Sequence, residues 1–337
     1  MIEAIGWDLF SGIGGVKCGM ELAGIKPVLG VECDPRDRKL SEAFIDIHHL
    51  NGWYGTRLQT VQEFRDWGFP GLPKNALIAH ISPVCADFSA AKVKNGIRAK
   101  KFNENMEMAI ASMDAIEHGM PLNFTIEQVR QYATSKEFQY ISSRAIELGY
   151  EFRSGVYNVG APFGQSRHRL IAIASRIGSW QLPTHPVASS WFDNIADLIP
   201  AFTPIAPTPR QLNAVSKWYQ DHQAYALLPT HKQRPLYVER VTSGRQPKVR
   251  GCFELVPTLM KSKFRDGSQN GRSQVSCVYI PLSGAGKWLN LTLEAYSRLQ
   301  GFPDSFRYPN DCNTVGSGFG YCVPPIWYAS LLVTMPR

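Results

Sequence analysis

The chain has 337 residues, 44% hydrophobic and 19% charged, an ordinary globular composition with room for a large domain and a smaller one. Its seven cysteines form no CxxC pair and no histidine stands at metal-ligand spacing, so neither a disulfide framework nor a zinc site is expected, and a reducing cytoplasm fits. The formal charge of +8 points to an acidic partner, while the absence of a basic-then-apolar leader and of about 18 consecutive apolar residues argues against a membrane role.

In chain order, the apolar runs at 2–10, 26–32, 76–82 and 122–127 read as buried strands with helical patterns between them. The first helix, in GGVKCGMELAG, places Val16, Met20 and Ala23 on one face and ends at Gly24, a glycine suited to a helix C-terminus. The second, over 104–117, carries Met106, Ile110 and Met113 at helical spacing, and these methionines read as core packing. A third, over 135–148, aligns Phe138, Ile141, Ala145 and Leu148, after which VYNVGAPFGQSRHRLIAIAS returns to strand character. This rhythm predicts an α/β fold with a largely parallel sheet.

From about 183 six prolines follow in quick succession, at 183, 186, 200, 204, 207 and 209, and no helical period is sustained until TLEAYSRLQGF at 292–302. The positive charge collects here. Residues 205–275 hold twelve Lys or Arg against four acids, interleaved with Tyr237, Phe253 and Phe264, and the rest of the chain sums to zero. Such a stretch suits a surface that tracks phosphates. The expected division is a large domain over 1–183, completed by 312–337, and a small, loop-rich, basic domain over 184–311.

Ligands of open α/β sheets bind beyond the carboxyl ends of the strands, and suggestive residues fall there. The first strand ends at Asp8 and runs into Phe10-Ser11-Gly12-Ile13-Gly14-Gly15; the second ends at Glu32; the next leads to Cys85 in SPVCADFS; the one after carries Glu127. A glycine-rich turn followed by an acid suits a nucleoside whose ribose hydroxyls need an acceptor, and Lys17 at the third glycine position argues against a dinucleotide. Plainer readings stand beside each: Cys85 as a core thiol, Glu127 as an ion-pair partner, Arg167 and Arg169 as solvated strand residues.

The segments DLFSGIGGVKCGMELAG, PVCADFS, TIEQV, QSRHR, RLQGFP and GYCVPP, in this order and spacing, resemble the motifs of the DNA (cytosine-5) methyltransferases. The resemblance covers about 1–180 and 285–330 and implies a Rossmann-like S-adenosylmethionine-dependent fold with a smaller target-recognition domain. It implies Cys85 as the nucleophile that adds to cytosine C6, Glu127 as the acid that contacts the ring, and Arg167 and Arg169 as the paired arginines that hold the base edge and the loop around it. It further implies cofactor contacts at Asp8, Phe10, Gly12, Gly14, Gly15, Glu32, Cys33, Pro83, Tyr321 and Cys322. Nucleic-acid contacts are expected at Ser89, Lys92, Lys94, Arg98, Gln165, Arg240, Arg245, Lys248 and Arg250, with the target base flipped from duplex DNA. The partner implied is double-stranded DNA, the cofactor S-adenosylmethionine, and the chain a monomer without metal.

The chain departs from that pattern at several points. Val84 and Ala86 flank Cys85 where the family has proline and glutamine; Gln128 follows Glu127 in place of asparagine; no acid for the adenine amino group is evident in 57–64; two extra residues precede Gln165; and Tyr321 replaces an asparagine near the cofactor. A tyrosine there suits a larger donor, such as carboxy-S-adenosylmethionine giving 5-carboxymethylcytosine. A tRNA cytosine methyltransferase would share the same chemistry, and a catalytically silent DNA-binding paralogue is opposed by the retained Cys85 and Glu127.

Overall fold

The computed structural model describes residues 3–83, 98–239, 246–259, 276–282 and 286–337. Cys85, Ser89, Lys92, Lys94, Arg240 and Arg245 lie outside the described residues, as does the side chain of Arg98.

Eight strands come first in the chain: β1 (Ile5–Leu9), β2 (Lys26–Val31), β3 (Thr56–Arg57), β4 (Ile78–Ile81), β5 (Asn123–Val129), β6 (Glu151–Asn158), the two-residue β7 (Gln165–Ser166) and β8 (His168–Ser175). All but β7 join one sheet in the order β3-β2-β1-β4-β5-β8-β6. Strands β1 to β5 pair in parallel, as the βαβ rhythm predicts, and β8 runs antiparallel to both its neighbours. The reason is connection length: the few residues between β6 and β8 cannot hold the crossover helix that parallel neighbours require.

Helices cover both faces. On one lie α1 (Gly15–Leu22) and, from the far end of the chain, α10 (Pro325–Val333), sharing a core of Val16, Met20, Ile78, Trp327, Tyr328 and Leu331. On the other, α3 (Val61–Asp66), α4 (Arg98–Gly119) and α5 (Lys136–Glu147) bury Phe64, Ala109, Met113, Ile116, Phe138 and Ile141 against Trp7, Phe124 and Ile126. The buried stripe of α4 is Ala109, Met113 and Ile116, with Met106 and Ile110 only half-buried beside it. Ser135 caps α5 by accepting from the Phe138 amide. Between β2 and β3 runs α2 (Arg38–Leu50).

The segment that reads as irregular holds more order than its sequence suggests. Helix α6 (Pro209–Asp221) starts at a capping box in which Thr208 and Gln211 exchange hydrogen bonds, with Pro209 at its first position. That signal was legible in Thr208-Pro209-Arg210-Gln211. After the short α7 (Gln223–Ala226) come β9 (Leu236–Val238), β10 (Val249–Arg250), β11 (Val256–Pro257), β12 (Cys277–Ile280) and β13 (Lys287–Asn290). An antiparallel sheet in the order β10-β9-β12-β13 packs Leu236, Val238 and Cys277 against Val215 and Trp218 of α6. These strands are too short to show a period in the sequence. β11 pairs instead with β7.

Helices α8 (Leu293–Leu299) and α9 (Cys312–Tyr321) bring the chain back. One apolar cluster runs from Ile13, Phe44 and Trp53 through Trp191 and Tyr237 to Tyr296, Phe302 and Phe319.

Candidate active site

β1 delivers the chain into a tight turn, with Phe10, Gly12 and Gly14 all at positive φ (63°, 53° and 99°). A Cβ at Gly14 would run into the Trp53 ring, whereas at Gly12 none of the described residues stands within 4 Å, so among them the turn leaves open space there. Glu32, at the end of β2, accepts from the Gly12 amide (2.8 Å) and from the Ser41 hydroxyl (3.1 Å), which ties the turn to α2. Burial pushes the Glu32 carboxyl above the usual range, and the half-buried thiol of Cys33 beside it is also raised by burial. Gly15, at the start of α1, meets the C-terminal segment: a Cβ there would lie 2.6 Å from the Val323 carbonyl and 3.1 Å from Cys322 Cβ.

A second set gathers at the ends of β4, β5 and β8. Arg169 Nε lies 2.8 Å from Glu127 Oε1, an ion pair in which the N–H is not aligned as a hydrogen bond. Among the described residues Oε1 therefore accepts no hydrogen bond although it is buried. The Gln128 amide donates to the Pro83 carbonyl, joining the end of β5 to the last described residue before the segment that carries Cys85. Cys322 Sγ donates to the Phe319 carbonyl (3.2 Å), and burial pushes its thiol up to about 12; next to it, Tyr321 is 61% exposed.

The sequence profile of the C-5 cytosine-specific DNA methylases matches residues 6–335, nearly the whole chain. The chain belongs to this family. Among curated proteins no sequence match is found. The methylase is similar in structure to the S. pombe Dnmt2 methyltransferase, with a TM-score of 0.60, 13% identity and 98% of each chain covered. It is likewise similar to the Entamoeba histolytica methyltransferase EhMeth, with a TM-score of 0.62, 14% identity and coverage of 99% of this chain and 98% of that one. At these identities the likeness concerns the fold, which is the S-adenosylmethionine-dependent methyltransferase architecture. Family membership makes this chain an enzyme of S-adenosylmethionine-dependent methylation at cytosine C5, acting on nucleic acid. Among the described residues no helix is long and apolar enough to cross a membrane, and no three His, Cys, Asp or Glu side chains form a metal cluster.

The donor set fits S-adenosylmethionine: open space at Gly12, a glycine turn at a strand end, and a Glu32 carboxylate whose oxygens retain lone pairs for ribose hydroxyls. Three residues expected as contacts are buried in the fold. Asp8 is fully enclosed on the α1 side of the sheet, level in register with Gly30 and His80; among the described residues neither of its oxygens has a hydrogen-bond donor, and burial raises its carboxyl to about 7. Gln165 is fully enclosed too, donating to the Leu299 carbonyl and to Gln300 Oε1 (2.9 Å) and accepting from the Leu259 amide (3.2 Å), so its side-chain amide is bonded within the fold. Arg167, also enclosed, donates to the Gly320 (3.2 Å) and Cys322 (2.7 Å) carbonyls. Burial lowers it to about 10, so it remains a cation, and it holds the Tyr321 segment in place.

Lys248, exposed, and Arg250, half-buried, sit at β10 of the smaller sheet. The sequence reading missed a polar group behind the turn. Lys17 of α1 donates to Thr56 Oγ1, which also bonds His48 Nδ1 (2.7 Å), and all of this lies against Gly14 and Gly30. A lysine inside the buried stretch GVKCGM was the available signal. Gln128, which the sequence marks only as a departure from the family pattern, is accounted for by its bond to Pro83.

Proposed function

We propose that this methylase transfers a methyl group from S-adenosylmethionine to C5 of a cytosine flipped out of duplex DNA, through a covalent bond between Cys85 Sγ and cytosine C6. The observation that carries this reading is the Glu127–Arg169 pair at 2.8 Å with a buried carboxylate oxygen that accepts no hydrogen bond among the described residues, beside a strand end leading to Cys85. That oxygen is suited to accept from the exocyclic amine or a protonated N3 of the base. Arg169 pairs with the carboxylate and holds it in place.

Addition of the Cys85 thiolate to C6 makes C5 enamine-like, and only a thiolate is nucleophilic enough for this near neutral pH. S-adenosylmethionine supplies, when bound, an electrophilic methyl group on a sulfonium sulfur. Loss of the C5 proton then expels Cys85 and restores the aromatic ring. Arg167 holds Gly320 and Cys322, and Gln128 holds Pro83, so both flanks of the site are built from backbone tied to buried side chains.

Duplex DNA is favoured over tRNA by the basic stretch at 205–275 and the RLQGFP segment. The catalytic part is 1–183 with 312–337, and 184–311 recognises the target. A second reading concerns the donor. Tyr321, 61% exposed at the end of α9, suits hydrogen bonding to a carboxylated donor such as carboxy-S-adenosylmethionine.

The test is incubation with duplex DNA or a tRNA pool and each donor in turn, digestion to nucleosides and mass spectrometry. A gain of one methyl group on deoxycytidine, abolished by Cys85→Ser, is expected. Full activity of Cys85→Ser sinks the covalent route, preferential modification of tRNA reverses the substrate, and a carboxymethyl product establishes the second reading.

A further inference from the structure

Phe253 is 81% exposed, on the turn between β10 and β11. Single apolar side chains on a surface are common and by themselves mean little. What sets this one apart is how its turn is built. The Gly251 carbonyl accepts from the buried Trp191 indole (2.8 Å) and from the Glu254 amide (3.1 Å), the Cys252 carbonyl accepts from Ser190 Oγ (2.6 Å), and Glu254 Oε2 accepts from the Gly251 amide (2.6 Å). Three side chains, one of them a fully buried tryptophan, thus hold a short stretch of backbone whose tip is a phenyl ring in water.

Both signs of charge stand around it. Lys248 is exposed just before the turn; Arg250 opens it and pairs with Glu254 Oε1 (3.5 Å); and Lys217, with Asp221, Arg250 and Glu254, lines a hollow of about 420 Å³ on its α6 side. The turn is also anchored to the catalytic segment. β11 follows Phe253 by three residues and pairs with β7, the Val256 amide donating to the Gly164 carbonyl (2.8 Å), and β7 leads directly into Arg167 and Arg169.

We propose that Phe253 stacks on bases of the DNA duplex next to the flipped cytosine, a contact that rests on the duplex-DNA reading above. An apolar ring presented rigidly beside the exposed Lys248, in a stretch of the chain with a large excess of basic residues, is an arrangement that supports bases while the lysine meets a phosphate.

The test is titration of labelled duplex DNA with the full-length wild type, Phe253→Ala, Phe253→Trp and Lys248→Ala over a range of salt concentrations. Phe253→Ala is expected to weaken binding on the order of 10-fold with the salt slope unchanged, and Phe253→Trp to restore it. Lys248→Ala is expected to reduce the slope by about 1. Equal binding by wild type and Phe253→Ala overturns the contact alone. So does a loss that lowers the salt slope and is not restored by tryptophan, which marks a distorted turn. Absence of duplex binding by the wild type overturns the DNA reading and the contact with it.

Discussion

Glu127 and Arg169 face each other across the antiparallel pairing of β5 and β8, where Arg169 lies opposite Val129 in register and its Nε reaches back 2.8 Å to Glu127 Oε1. The pair stands where the parallel part of the sheet meets its antiparallel part, so a carboxylate from one strand end and a guanidinium from the adjoining strand's start converge. Glu127→Gln keeps the shape and removes the charge. It is expected to slow single-turnover methyl transfer by roughly 10²- to 10⁴-fold while the melting temperature falls by only a few degrees. Wild-type turnover in this variant excludes an acid role for Glu127.

Gln128 acts through Pro83. Gln128→Ala leaves a buried carbonyl unpaired and frees the chain that leads to Cys85, so the rate of transfer is expected to drop on the order of 100-fold while affinity for S-adenosylmethionine, read by calorimetry, stays within about two-fold. Loss of cofactor affinity with an unchanged rate contradicts this positioning role.

Glu32 receives two donors, the Gly12 amide and the Ser41 hydroxyl. In Glu32→Gln one of them faces an amide NH₂ instead of an oxygen, so the turn loosens and the dissociation constant for S-adenosylmethionine is expected to rise about 10-fold. Because burial raises the Glu32 carboxyl, wild-type affinity is expected to weaken on acidification at a higher pH than an ordinary glutamate would cause. Calorimetric titrations from pH 7.5 downward check both, and a pH-independent constant contradicts the second.

Asp8 sets a pH dependence of stability. Burial raises its carboxyl well above the ordinary range, and Lys17 and Ser11 offset only part of that shift. The folded chain therefore keeps a proton that the unfolded chain has released, and stability falls as pH rises from the ordinary carboxylate pKa towards neutrality, by up to about 1.4 kcal/mol per pH unit. Lys17 is lowered by burial, so the folded chain releases its proton before the unfolded chain does, and its effect has the opposite sign at alkaline pH. Other groups around Asp8 are His80 of β4, Tyr328 of α10 and Glu32 at the end of β2. Asp8→Asn is expected to flatten the slope of urea midpoints between pH 4 and 7, and parallel slopes in the two proteins assign the effect elsewhere.

The parallel part of the sheet, the glycine turn, Glu32 and Glu127 near strand ends and three helices, expected in GGVKCGMELAG, over 104–117 and over 135–148 and found at 15–22, 98–119 and 136–147, were legible in the sequence. Each depends on residues within one strand or helix turn of each other: apolar period, a cap, a glycine where φ is positive. The short strands of the smaller sheet were not, because two to four residues carry no period, and α6 was overlooked although Thr208 and Gln211 announce it.

Three residues that local sequence marks as contact groups are buried in the fold, two of them by partners far along the chain. Gln165 is enclosed by Leu259, Leu299 and Gln300; Arg167 by Gly320 and Cys322; Asp8 by Lys17 and the helices over it. Whether a polar side chain meets solvent or the inside is decided by which distant backbone carbonyls and amides come within hydrogen-bond reach. Residue types and their spacing determined the chemistry present in this protein, and tertiary packing decided which of those groups is left open to a substrate.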